Sequence, residues 1–249
     1  MKKEIITDKE TALVELSKMA YDFRYIGDEL KNDKEVVYTA VKVRGSALEY
    51  ASNELKNDKE IVLEAISRNG SVLQYASGAL KNDREIVIKA VSQDATAFEY
   101  ASEEIRNEKD IALMAVNSEP NQFKYASKEL KADKDIALMA VVSNNFMLEY
   151  ASCELKNDKE LVLVAITPKN KLFNSFAAEV FEYVSSELKD DKKFILQVVD
   201  INSFCLKNVS DRLKNDKEVV IRSVSQDSHS FYYASDELKT DKDILNILR

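Results

Sequence analysis

The sequence predicts an all-α fold, an α-solenoid of about ten 25-residue helical repeats, each a helix pair plus a short extra turn. Three observations predict it. The string Lys56-Asn57-Asp58-Lys59-Glu60 returns as Lys31–Glu35, Lys81–Glu85, Lys131–Asp135, Lys156–Glu160 and Lys214–Glu218. Its anchoring acid falls at Asp8, Asp33, Asp58, Asp83, Glu108, Asp133 and Asp158, a spacing of 25; one step of 33 leads to Asp191, and 25 returns at Asp216 and Asp241. After each string comes an apolar run such as Ile61-Val62-Leu63-Glu64-Ala65-Ile66. A unit this short cannot bury its own apolar surface, so neighbours must stack.

Within one unit, Asn57-Asp58-Lys59-Glu60 reads as a capping box, with Asn57 as N-cap and Glu60 at the third helical position reaching back. The first helix then runs to about Asn69-Gly70. Gly45 and Gly70 stand where a left-handed, helix-ending residue is wanted. On a helical wheel Ile61, Val62, Leu63, Ala65 and Ile66 fill an arc of about 200°. Such an arc suits a helix packed on its own partner and on both neighbouring repeats. A second helix starts near Ser71 and carries Val72, Leu73, Tyr75 and Ala76. It either continues to Leu80 or breaks at Ala76-Ser77, where serine caps a separate short turn. The break is favoured, because a continuous helix would set Glu54 of the preceding copy inside the apolar arc. Helices packed about 8–10 Å apart would make a stack on the order of 80–100 Å long.

The whole chain, 1–249, reads as a single repeat domain without a compositional boundary. A degenerate N-terminal cap covers about 1–32, where Thr11 and Glu15 occupy apolar positions. A truncated C-terminal cap covers 241–249. The eight extra residues fall at 167–176, beginning near Pro168. They read either as drift in a tolerant loop or as a loop on the binding face. Pro120 and the unit around Asn208 are further departures from the pattern.

Charge is high at 32%, which marks a soluble, folded chain, and the net charge of −8 disfavours nucleic acid and anionic membranes. Residues 1–10 carry no apolar core of a signal peptide, and no run approaches a membrane span. Cys153 and Cys205 form no disulfide framework, which fits a cytoplasmic location. His229 is the sole histidine, and no zinc spacing, phosphate-binding glycine loop, calcium loop or nucleophile elbow is present. No catalytic residue, cofactor or metal is therefore expected.

Two ladders recur. Acids at Glu35, Glu60, Glu85, Asp110, Asp135, Glu160 and Glu218 sit at helix starts, and bases at Lys31, Lys56, Lys81, Arg106, Lys131, Lys156 and Lys214 sit at helix ends. Each sign suits its helix dipole, so capping accounts for both. Asp58, Asp83 and Asp158 are assigned to the repeat framework. Tyr25, Tyr50, Tyr75, Tyr100, Tyr125, Tyr150, Tyr183 and Tyr233 share one position. They could stack bases as in single-stranded RNA readers, but the acidic chain favours rings packed at the helix seam with hydroxyls in water.

One solvent stripe is unusual. Six residues after the anchor it reads Thr39, Glu64, Lys89, Met114, Met139, Val164, Gln197 and Arg222. Its apolar middle, Met114, Met139 and Val164, is either a docking strip or a stripe buried by curvature.

The run Tyr50–Ile66, Tyr-Ala-Ser-x-Glu-Leu-Lys-Asn-Asp-Lys-Glu followed by Ile-Val-Leu-x-Ala-Ile, resembles a family of domains of unknown function, number 4116. The likeness covers about Tyr25 to Leu238, and six copies keep Tyr-Ala-Ser intact. The resemblance implies the repeat fold and carries no activity, cofactor or catalytic residue. The expectation is a non-enzymatic, monomeric scaffold that binds a protein or peptide along its surface. The alternatives are a structural spacer or self-assembling rod and, less favoured, a hydrolase-like carboxylate pair.

Overall fold

A computed structural model describes residues 4–18, 22–167 and 178–248. The chain packs as two compact units, Met1–Leu130 and Lys131–Arg249. In the first unit the long helices are α1 (Lys9–Ser17), α2 (Lys34–Val43), α3 (Lys59–Arg68), α4 (Arg84–Gln93) and α5 (Lys109–Ser118). In the second they are α6 (Lys134–Ser143), α7 (Lys159–Ile166), α8 (Lys192–Ile201), α9 (Lys217–Gln226) and α10 (Lys242–Ile247). The fold is an all-α helical repeat; among the described residues the only strand-like pairing is an isolated bridge between Ile6 and Ile26. The 167–176 insertion lies outside the described residues apart from Thr167.

Each long helix except α5, whose anchor Glu108 makes no side-chain cap bond, is capped by the anchoring aspartate rather than by the residue before it, which corrects the predicted capping box. Asp58 accepts hydrogen bonds from the N–H groups of Glu60 (2.9 Å) and Ile61 (3.2 Å). Asn57 is engaged elsewhere: its Oδ1 accepts from the Ser77 hydroxyl at 2.5 Å. Glu60 is then the second helical residue and pairs with Lys34 of the preceding repeat at 2.8 Å. These competing partners lie 20 to 26 residues away, so a reading confined to one repeat misplaces the cap by one residue.

The predicted second α-helix is a six-residue 3₁₀ segment, as at Gly45–Tyr50, Gly70–Tyr75 and Ala95–Tyr100. Its buried residues explain the tighter winding. Gly70, Leu73 and Ala76 are buried three apart, as are Ala95, Phe98 and Ala101. A three-residue turn aligns such a set on one face, whereas a 3.6-residue turn spreads it.

The chain then breaks at Ala-Ser, as favoured from the sequence. Ala76 and Ser77 are both extended, with ψ of 157° and 159°, and the Ser77 hydroxyl caps the four-residue helix Gly78–Lys81 by accepting from Leu80 N–H. Ser77 also ties two repeats together. Its N–H donates to the Lys56 carbonyl at 2.9 Å and its hydroxyl to Asn57. The same rung recurs at Ser52–Asn32, Ser102–Asn82, Ser127–Asn107, Ser185–Asn157 and Ser235–Asn215.

Gly45 and Gly70 serve close packing, not a left-handed turn; neither has a positive φ. A Cβ on Gly45 would collide with the Ala65 carbonyl oxygen, and one on Gly70 with that of Ala90. The long helix before Gly70 ends instead at an extended Asn69, with φ −160°.

The core of each unit lies between its long helices and its 3₁₀ segments. In the first unit Val36, Val37, Ile61, Val62, Ile86, Val87, Phe98 and Phe123 are inaccessible to solvent. In the second, Ile136, Leu148, Leu161, Phe181, Ile195 and Val198 play the same part. Leu63, counted in the sequence arc, is only half-buried.

Candidate functional site

The long helices from α2 to α9 bury four positions each, such as Ile61, Val62, Ala65 and Ile66 in α3, and turn the intervening ones outward. The stripe six residues after each anchor lies on this outer face. In the first unit it is polar over three repeats. The Tyr38 hydroxyl donates to Glu64 at 3.4 Å, Thr39 donates to its own helix at the Glu35 carbonyl, and Lys89 is exposed. Met114 closes the first unit's stripe; it is exposed, and the Ser92 hydroxyl lies 3.4 Å from its sulfur.

In the second unit the stripe is apolar at its first two positions and polar at Gln197 and Arg222. Met139 on α6 and Val164 on the neighbouring α7 are half-buried. Val142, one turn beyond Met139, is 50% exposed, and Leu138 and Leu163 beside them are half-buried. Sequence reasoning missed Val142. Its signal was available: the corresponding positions are Lys42, Ser67, Ser92 and Asn117, all polar. Beyond this strip the outer face closes with charge, as Arg222 forks onto Asp200 through two hydrogen bonds of 2.6 Å.

The acid ladder does more than cap, and its cationic partners stand at the first position of the long helices, not among the bases named from the sequence. Lys9, Lys34, Lys59 and Arg84 each bridge two carboxylates of the next repeat; Lys59, for example, reaches Asp83 (3.0 Å) and Glu85 (2.8 Å). The hydrogen bond from Lys59 holds Asp83 below the usual carboxylate range against an opposing desolvation, and the Ile86 N–H adds to it. Glu85 and then Asp83 raise Lys59 in turn. Asp158 caps α7 through Leu161 N–H at 2.9 Å and accepts Lys134 at 2.8 Å. Lys159 departs from the pattern: it pairs with Asp191 at 2.6 Å, and Lys193 stands where the second acid would be.

The tyrosines sit at the ends of the 3₁₀ segments, all half-buried. Their hydroxyls also lie within the influence of carboxylates from the preceding repeat. Desolvation, reinforced by the carboxylates of Glu49, Glu99 and Glu149 in the preceding repeats, raises the phenols of Tyr75, Tyr125 and Tyr183. Where the preceding residue is basic the contact changes: the Arg24 guanidinium lies 5.8 Å from the Tyr50 ring centre.

His229 is exposed and holds Asp227 through Nδ1 at 2.8 Å. Cys153 is exposed; Cys205 is buried, which pushes its thiol well up. Among the described residues no group of three or more His, Cys, Asp or Glu is placed to hold a metal ion, and no helix is long and apolar enough to cross a membrane.

No curated protein and no solved structure matches the chain. A family model does, repeatedly, over residues 16–56, 58–106, 83–131, 108–144, 133–189, 171–214, 191–239 and 216–246. Its matches step along the chain in register with the capped helices and serine rungs, and the chain belongs to the family described as Domain of unknown function (DUF4116).

Proposed function

We propose that this chain is a non-enzymatic scaffold that binds a protein or peptide on the outer face of its long helices. The observation that carries the reading is the apolar strip of Met139, Val142 and Val164, set on two neighbouring helices. The first unit fills the same positions with Thr39, Glu64 and Lys89, so the repeat fold itself does not require apolar residues there. An apolar strip in a charged surface is a feature of docking sites, and methionine adapts to varied partners. Met114, exposed in the first unit, belongs to the same reading.

The acidic net charge of −8 supports a protein or peptide over nucleic acid or an anionic membrane. Among the described residues no helix is long and apolar enough to cross a membrane. Affinity enrichment from the native host tests the proposal, with wild type and a folded Met114→Lys/Met139→Lys variant as baits. A protein held by wild type and lost by the variant is the expected result. Equal capture by both baits would reject the apolar strip as the site, and no specific capture by either would move the reading to a structural spacer.

A further inference from the structure

We infer that Asn69-Gly70 is a latent deamidation site, created by the packing of the repeat and held shut by Gln93. Asparagine followed by glycine cyclises readily, because no Cβ shields the glycine nitrogen. The Gly70 nitrogen, once deprotonated by hydroxide, attacks Asn69 Cγ; the new C–N bond forms, the Cγ–Nδ2 bond breaks and ammonia leaves. Water then opens the succinimide to aspartate or isoaspartate.

Local packing accounts for both residues in this copy. Gly70 is required because any Cβ would meet the Ala90 carbonyl oxygen and the Asp94 backbone. Position 69 wants a short side-chain acceptor: Asn69 Oδ1 receives the Ser71 N–H at 3.0 Å and the Ser71 hydroxyl at 2.8 Å. Asp94, Asn144 and Asp227 make the matching bond one, three and six repeats on. Only in this copy do the two needs combine into Asn-Gly, since Gly45 follows Arg44 and Asp94 precedes Ala95.

Three features oppose the reaction in the folded chain. The Gly70 N–H, the nucleophile, donates to Gln93 Oε1 and is buried. Asn69 has ψ of 117°, whereas ring closure needs ψ on the negative side to bring the nitrogen onto Cγ. The side-chain oxygen is fixed by Ser71, which holds Cγ away. Reaction therefore waits on local opening of this turn. Direct conversion to aspartate would keep the cap, as Asp94 demonstrates, while isoaspartate would insert an extra backbone carbon and break it.

The test is peptide mass spectrometry after incubation at mildly alkaline pH, following replacement of the Asn69 amide by a carboxyl. Wild type is compared folded and unfolded in urea, together with folded Gln93→Ala and Gln93→Glu. Folded wild type should react at least about tenfold more slowly than the unfolded chain. Gln93→Ala should accelerate the folded protein several-fold, and Gln93→Glu, whose carboxylate still accepts from Gly70, should restore protection. Equal rates in folded and unfolded wild type would overturn the inference. A folded Gln93→Ala protein as slow as wild type would overturn the role of Gln93.

Discussion

The two units are built from one repeat but spend their outer faces differently. In Met1–Leu130 the charge ladder is regular, the stripe of Thr39, Glu64 and Lys89 is polar, and Gly45 and Gly70 let neighbouring backbones touch. In Lys131–Arg249 the ladder loses an acid at Lys193, the stripe is apolar at Met139 and Val164 before Gln197 and Arg222, and the glycine position holds Asn145, whose amide donates to the Ala165 carbonyl at 3.1 Å. The same carbonyl row is thus approached by bare backbone in one unit and by a polar side chain in the other. The contrast separates what the repeat needs to stack from what a given copy adds.

The largest expected effect tests the apolar face. Met139→Lys/Val164→Lys should weaken partner binding by about a hundredfold, near 2.7 kcal/mol, since truncated interface centres cost that much. Charging Thr39 in the first unit should leave affinity unchanged in the same titration. Equal losses would erase the functional difference between the faces. Next comes packing: Gly70→Ala should cost about 2 kcal/mol in denaturant unfolding, because the neighbour it meets is backbone and yields poorly. Asn145→Gly, which deletes one hydrogen bond, should cost about 1 kcal/mol. A reversed order would contradict the close approach at Gly70.

Ladder effects are smaller. Asp83→Ala removes a helix cap and should cost about 1 kcal/mol. Lys193→Glu should return a second acid to Lys159 and add only about 0.3 kcal/mol, an increment that added salt removes. The ladder also sets the pH response. Asp83, Asp191 and Asp241 are depressed, so their contribution is present above the ordinary aspartate value of 3.8 and is lost as pH falls through their folded values. Lys59, Lys134 and Lys217 are raised, so theirs is present below the ordinary lysine value of 10.5 and is lost as pH rises through the folded values. Unfolding midpoints should be flat across neutral pH and decline on both flanks; a maximum confined to acid pH would contradict this.

What was legible in the sequence follows from where each partner lies. The period, the buried helix positions and the break at Ala-Ser depend on residues a few places apart. The cap at Asp58 was misread because Asn57, Glu60 and Lys34 are all committed to neighbours a full repeat away. The 3₁₀ segment was missed although Gly70, Leu73 and Ala76 keep a three-residue period, since a helical wheel absorbs so short a run. The glycines were assigned to backbone freedom, while the carbonyl that excludes a Cβ comes from the next repeat. For the candidate site, Met114, Met139 and Val164 were visible because a repeat offers its own control at each position; Val142 needed the same comparison at a second position.

The most direct measurement is amide hydrogen exchange of the intact chain, alone and with the enriched partner bound. The account predicts new protection in α6 and α7, around Met139, Val142 and Val164, with the helices that carry Thr39 and Glu64 unchanged. Protection confined to those polar helices, or none in α6 and α7, would contradict it.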